Sequence, residues 1–446
     1  MRKHVLLLLG LVLLAGAAVF IWLAWPDRAQ LQVADVAGRR PNITAPRTQT
    51  IPTVKIAKAV GWPEGATPRP AAGLAVQPFA AGLDHPRWLY RLPNGDVLVA
   101  ESNSPPREDP GLQQKIMNFL LGRAGAGVPS ANRITLLRDA DGDGTAEGRS
   151  VFMTGLNSPF GMALMGPHLY IGDTDALVRV PYATGQTRIT ARPERVAPLN
   201  PAGNHWTRNV IAARDGRSLF VAVGSASNIA EKGMEREKYR ANILQVWPEG
   251  NWRIYAAGLR NPIGMALNPV TGNLWTVVNE RDMLGSDLAP DYLTQVEFGD
   301  HFGWPWYYWG GYPDTRVEPA NPALQEYSKR PDYALGPHVA ALGLTFAPDA
   351  RLGGRWSQGA FVGEHGSWNR VPVSGYKVVW VPFAADGYPV RGAKPVDVLT
   401  GFLNADGEAM GRPVGVITDR TGSLLVADDV GNRIWRVSAA QRVAAR

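Results

Sequence analysis

Short apolar runs separated by turn residues recur along most of this 446-residue chain. Each run is rich in Val, Leu, Ile and aromatic residues. It is followed by a Gly, Asn or Asp turn and a second run of the same kind. Such a pair predicts a β-hairpin. Six hairpins open in related ways. They begin at Gly82-Leu83-Asp84-His85-Pro86, Gly155-Leu156-Asn157-Ser158-Pro159, Gly203-Asn204-His205-Trp206, Gly258-Leu259-Arg260-Asn261-Pro262, Ala341 and Gly411-Arg412-Pro413. These starts are too widely and unevenly spaced for a solenoid of identical coils. They suit four-stranded blades with variable outer strands, and so predict an all-β, six-bladed β-propeller. The alternative is an irregular β-sandwich that reuses Gly-Leu-x-x-Pro.

A hairpin returns the chain to the side from which it started. The opening loops, with Asn157, His205, Arg260, Asn261 and Arg412, should therefore share one face with the second-strand ends Glu101, Asp173, Glu280, Glu364 and Asp428. Turns such as Pro93-Asn94-Gly95 and Asp419-Arg420-Thr421-Gly422 should share the other. The first face is crowded with ionisable groups near the axis, and a binding pocket is expected there.

The blades account for about residues 74–440. Ahead of them, residues 26–73 contain many Pro, Ala and Thr and read as a linker. Arg2, Lys3 and His4 precede an uncharged apolar stretch from Val5 to Trp25. Residues 1–25 therefore read as a membrane anchor in a helix, with a cleaved signal peptide as the alternative. The basic flank places the N-terminus in the cytoplasm and the propeller in the periplasm. There are no cysteines, which excludes disulfides, thiolate metal sites and Cys nucleophiles. The net charge of +7 is modest for this length and comes without a dense Lys/Arg run, so no nucleic-acid partner is inferred.

A few side chains on these elements suit chemistry. His205, opening an inner strand between polar neighbours, suits a general base near neutral pH. Arg260, Arg370 and Arg412 offer forked donors near a channel mouth. They would need an anion among them, or partners such as Glu280, Glu364 and Asp428; the residues alone leave both readings open. Glu280, Arg281 and Asp282 could offer oxygens to a hard cation. Asp139, Asp141 and Asp143, followed by Gly144, place carboxylates at positions 1, 3 and 5 of a calcium-type loop, with Glu147 at position 9. A strand-like run precedes that loop rather than a helix. No phosphate-binding glycine loop, Gly-x-Ser-x-Gly elbow or His-Glu-x-x-His motif occurs.

Gly258-Leu259-Arg260-Asn261-Pro262, the later Phe302-Gly303-Trp304-Pro305, the isolated His205 and Gly411-Arg412-Pro413-Val414-Gly415 resemble the soluble pyrroloquinoline-quinone (PQQ) dependent glucose dehydrogenase family. Residues 137–144 and 365–370 are similar to its L-sorbosone dehydrogenase branch. The resemblance covers about residues 74–437. It implies a propeller holding the quinone near the axis, with Ca2+ beneath it and the sugar above. By this match His205 is the general base, and Arg260 contacts the reacting quinone oxygen. Asn261 contacts the quinone rim. Arg370 and Arg412 pair with cofactor carboxylates. Residues around Glu280, Arg281 and Asp282 supply calcium ligands. The chain departs from the family at three places. Arg281-Asp282 stands where Gly-Pro is expected. A second-blade glutamine is not evident at residues 157–159. Asn369 or Arg370 replaces a fifth-blade lysine.

The reading that follows is a periplasmic quinoprotein that oxidises a sugar or sugar-derived aldehyde and passes electrons to a respiratory acceptor. Its rivals are a calcium-dependent propeller hydrolase of the lactonase kind, using carboxylates such as Glu101, Asp173 and Glu280, and a non-catalytic binding propeller.

Overall fold

A computed structural model describes residues 2–23, 25–49, 51–106 and 111–440. Six antiparallel sheets follow one another along the chain. Blade one begins with Pro86–Arg91 and Val97–Glu101, and ends with Arg133–Arg138 and Gly148–Thr154. Blade two runs from Met162 to Pro198, blade three from Val210 to Ala257, and blade four from Pro262 to Pro337. Blade five runs from Ala341 to Thr400 and gains Arg69–Pro70 as an added edge strand. Blade six takes Pro413–Thr418, Leu424–Asp428 and Arg433–Ala439 from the end of the chain. Its outer strand, Leu74–Ala81, comes from before blade one and pairs from Leu74↔Ala439 to Ala81↔Arg433. That pairing closes the ring, and the all-β six-bladed propeller expected from the hairpins is the observed fold.

The second strand of each blade is flanked by sheets on both sides. Val97–Glu101, Leu219–Val223, Leu274–Val278 and Leu424–Asp428 are buried at every position. This is why the sequence shows unbroken apolar runs there instead of alternation. Nearer the axis the blades crowd one another. A Cβ on Gly264 would stand 2.6 Å from the Leu342 carbonyl of the next blade, and one on Gly415 would stand 2.9 Å from that of Arg87. Only glycine permits that approach.

Strand register fixes the two faces. Pro86 pairs with Glu101, Pro262 with Val278, Ala341 with Glu364 and Pro413 with Asp428. The hairpin openings and second-strand ends therefore lie together, on what we call the site face. On the opposite face the turns of blades one and six meet, with Gly95 against the Arg420 side chain.

Two further segments cover the site face. The connection between the second and third strands of blade one carries a helix, Leu112–Arg123. The chain ahead of the propeller crosses blades four to six as a strap. Its Arg47 and Gln49 amides bond Leu284 and Met283, the Lys55 amide bonds Trp368, and Trp62 Nε1 donates to Asp428 at 2.7 Å. Residues 26–73 are thus packed along much of their length. Before the strap, Arg2–Leu23 is an apolar helix with Leu13 and Leu14 exposed. Among the described residues no helix is long and apolar enough to cross a membrane.

Candidate active site

His205 lies in the loop opening blade three. Its Nδ1 is 2.7 Å from the Ser225 carbonyl oxygen and 3.1 Å from the Ser225 hydroxyl. Two arginines hold the loop from behind. Arg208 and Arg240 donate to the His205 carbonyl at 2.9 and 2.5 Å. Burial, followed by the charges of Arg260 and Arg240, drives the imidazole pKa well below its ordinary value. The ring is therefore neutral, as a proton acceptor must be.

Arg260 and Asn261 open blade four beside it. A Cβ on Gly224 would stand 2.1 Å from Asn261 Oδ1 and 2.7 Å from His205 Cβ, so this glycine lets the two side chains close on one spot. Asn261 Oδ1 is buried without a hydrogen-bond partner. Arg260 is fully engaged. It donates to both oxygens of Asn228 at 3.3 and 2.9 Å, to the Asn279 and Glu280 carbonyls, and to Asp282 at 3.1 Å. Asp282 also faces His338 Nδ1 at 3.4 Å. Burial opposes ionisation of Asp282, yet His338 and Arg260 together hold its pKa below the usual value.

Across the axis, Asp429 in blade six gathers groups from blades one and five. It pairs with Arg87, with His365 Nε2 at 2.8 Å and with His85 Nε2 at 3.5 Å. Burial opposes its ionisation, but these neighbours hold it far below the usual carboxylate range. Arg412 adjoins this group, donating to the Tyr376 hydroxyl at 2.7 Å. The Nε atoms of Arg87 and Arg412 are buried and unpartnered. Arg87 also lies 5.8 Å over the Trp206 ring, which joins this cluster to the His205 loop.

The other expected ligands sit differently. Arg370 donates to the Ser286, Pro372 and Leu31 carbonyls, and Asn369 donates to Thr53 and accepts from the Met283 amide. Both tie the blade-five loop to the strap and to blade four. The Arg281 side chain turns into blade four, onto Glu280, Asp314 and the Pro305 and Tyr307 carbonyls. Glu280 therefore faces Arg281, and Asp282 faces Arg260 and His338. Of the carboxylates a calcium-dependent hydrolase would use, Glu101 is bound by Arg133 and Thr135 and Glu280 by Arg281, while Asp173 Oδ1 is buried without a partner.

Asp139, Asp141, Asp143 and Glu147 do bring carboxylate oxygens within 4.8 Å of one another. Their loop joins the third and fourth strands of blade one, and the Asp139 carbonyl accepts from Arg420. That places it on the face opposite His205. Residues that sequence reasoning passed over are Arg87, His365, Asp429, His338, Asn228 and the Arg208–Arg240 pair. His85 alone carried a signal, as a second histidine opening an inner strand.

The TrAA12-like family profile matches residues 118–299 and 312–440. The chain belongs to this family. A PQQ-dependent pyranose dehydrogenase of Coprinopsis cinerea is 26% identical over 428 residues, covering 82% of this chain and 54% of that protein. An aldose sugar dehydrogenase of Escherichia coli is 25% identical over 185 residues, covering 38% of this chain and 47% of that protein. This TrAA12-like chain thus aligns with about half the length of either curated enzyme. The holo PQQ domain of the Coprinopsis cinerea pyranose dehydrogenase superposes with a TM-score of 0.66 at 20% identity, over 86% of this chain and all of that one. A Trichoderma reesei family AA12 structure superposes with a TM-score of 0.68 at 18% identity, over 87% and 99%. At these identities the superpositions establish the shared propeller fold.

Proposed function

We propose that this TrAA12-like protein oxidises a sugar or sugar-derived aldehyde using bound PQQ. Family membership and relatives named as PQQ-dependent sugar dehydrogenases support the class. The observation that carries the reading is the pairing of a neutral His205 with buried groups that lack partners. Asn261 Oδ1 and the Nε–H groups of Arg412 and Arg87 are unmatched inside the ring. Buried unpaired donors on two arginines suit a polycarboxylate. Gly224 lets Asn261 and His205 approach each other. The residues present therefore fit an anionic quinone. Arg260 and Arg370 fit it less directly, because their donors are already spent on protein oxygens.

When bound, PQQ supplies an ortho-quinone that accepts two electrons. His205 takes the substrate hydroxyl proton on Nε2, since Nδ1 is committed to Ser225. Arg260 acts through its charge. It lowers the proton affinity of His205 and presents a positive field to negative charge that develops nearby. Arg208 and Arg240 keep the His205 loop in place. Calcium would be taken by the Asp139 loop as a structural ion; the backbone oxygens around residues 280–282 do not fit a cation, because the Asn279 and Glu280 carbonyls already accept from Arg260 and the Asp282 carbonyl from Arg316. We place the enzyme in the periplasm, tethered by its apolar N-terminal helix, with a respiratory acceptor removing the electrons. Absorption spectra during addition of PQQ and calcium to apoprotein test the reading. The quinone bands should shift on binding and bleach once on addition of an aldose. Free-quinone spectra throughout would overturn it.

A further inference from the structure

Two segments that cover the site face carry exposed apolar side chains. Val54 and Val60 on the strap are 40% and 44% exposed, and Phe119 and Val128 on the blade-one insertion are 66% and 47% exposed. Both segments lie over the site face. The Thr53 carbonyl accepts from Asn369, the Val60 amide bonds Ala409, and the Ala59 amide bonds the Arg123 carbonyl, which joins strap to insertion. Basic side chains stand among them, with Lys55, Lys115 and Arg123 exposed.

The apolar N-terminal helix arrives at the same face. Asp27, four residues beyond its end, accepts from the Ser286 amide at 2.5 Å and pairs with Arg47 at 2.6 Å. Arg47 in turn pairs with Asp287 at 2.9 Å. These bonds fix the point where the helix leaves the propeller, at the blade-four loop beside Arg260 and Asp282. The chain therefore leaves the propeller toward the helix from the site face.

We infer that the site-bearing face rests on an anionic lipid bilayer, with the strap and the blade-one insertion as the contact surface. Exposed apolar residues interleaved with Lys and Arg have the composition of a membrane-interfacial surface. Anionic headgroups attract basic residues held within a Debye length of the surface. The inference rests on the proposed tether and adds to it the orientation of the propeller. It turns the His205 pocket toward a membrane-borne electron acceptor.

The chain contains no cysteine, so single cysteines can be placed without background. Val60→Cys and Phe119→Cys report on the site face. Val270→Cys, on a blade-four turn of the opposite face and 55% exposed, is the reference. Each full-length variant is labelled with an environment-sensitive fluorophore and mixed with phosphatidylcholine–phosphatidylglycerol vesicles. Labels at 60 and 119 should shift to the blue and be quenched by nitroxide-bearing lipid, while the label at 270 is quenched by aqueous iodide. Lys55→Glu with Arg123→Glu should weaken the lipid quenching at 60 and 119. If the chain floats with the vesicles but the label at 270 responds to lipid as strongly as the others, the orientation is wrong and the tether stands. If all three labels stay in water on floating vesicles, the orientation is again wrong. A chain that does not float with the vesicles overturns tether and orientation together.

Discussion

The Nδ1 nitrogen of His205 lies 2.7 Å from the backbone carbonyl oxygen of Ser225. A carbonyl can only accept, so the ring proton resides on Nδ1 and the lone pair on Nε2. Arg240 spans the same two residues, donating to the His205 carbonyl at 2.5 Å and to the Ser225 carbonyl at 3.1 Å. Ser225 thus sets the tautomer and Arg240 holds the loop, while burial and the charges of Arg260 and Arg240 keep the ring neutral.

Replacing the proposed base should affect chemistry before binding. His205→Ala is expected to keep its affinity for PQQ and to lose a factor of about 10²–10⁴ in kcat, the usual contribution of a positioned base. Single-turnover reduction of the bound quinone by sugar separates this step from reoxidation. Reduction at the wild-type rate in the variant would make the imidazole structural.

Gly224→Ala tests the pocket from the other side. The added methyl would meet Asn261 Oδ1 at 2.1 Å and His205 Cβ at 2.7 Å, so both must move. Overpacking of this kind costs about 1–3 kcal/mol. The expected result is a lower denaturant midpoint, weaker PQQ binding by absorbance titration and a reduced kcat/KM. Wild-type values for both PQQ binding and kcat/KM would show that His205 and Asn261 do not share a ligand.

Local pattern carried the blades and part of the site. Val97–Glu101 and Leu424–Asp428 announce themselves because strands buried on both sides must be apolar throughout. His205 and Asn261 could be found because they open such strands. Arg370 could not be placed, because its partner Leu31 is 339 residues away and belongs to a strap with no periodicity. Asp429 gained its role from His85, Arg87 and His365, which meet only when the ring closes. The helix Leu112–Arg123 was missed for a local reason. Its N-cap is Gly111 without a side-chain bond, and its first turn has no acidic residue. The usual start signal is absent.

The Asp139 loop gives a prediction independent of catalysis. Four carboxylates within 4.8 Å of one another repel unless a cation or solvent separates them. Calcium should therefore raise the thermal midpoint of the wild type. Asp141→Asn should lose most of that increment while its quinone spectrum stays unchanged, because the loop lies on the face away from His205. A midpoint indifferent to calcium in the wild type would make the loop an ordinary acidic turn.

Glu364 should make stability depend on pH in an unusual direction. It ends the second strand of blade five, fully buried, and its Oε2 has no partner. Burial raises its pKa from 4.5 to about 8; Lys377 opposes this, and the more distant Asp397 and Asp291 reinforce it. A carboxyl with a raised folded-state pKa holds its proton more tightly folded than unfolded. Its contribution to stability is therefore present below pH 4.5, declines as pH rises and is lost above about 8. This is the reverse of a carboxylate paired with a cation. A tenfold difference in proton affinity is worth ~1.4 kcal/mol, so the change across the window is a few kcal/mol at most. Glu364→Gln keeps the shape and removes the proton. Urea midpoints at pH 5 and pH 9 should then differ less in the variant than in the wild type, with the variant gaining chiefly at the higher pH. If the two pH profiles run parallel, Glu364 is ionised in the folded protein and has found a partner in water or Lys377.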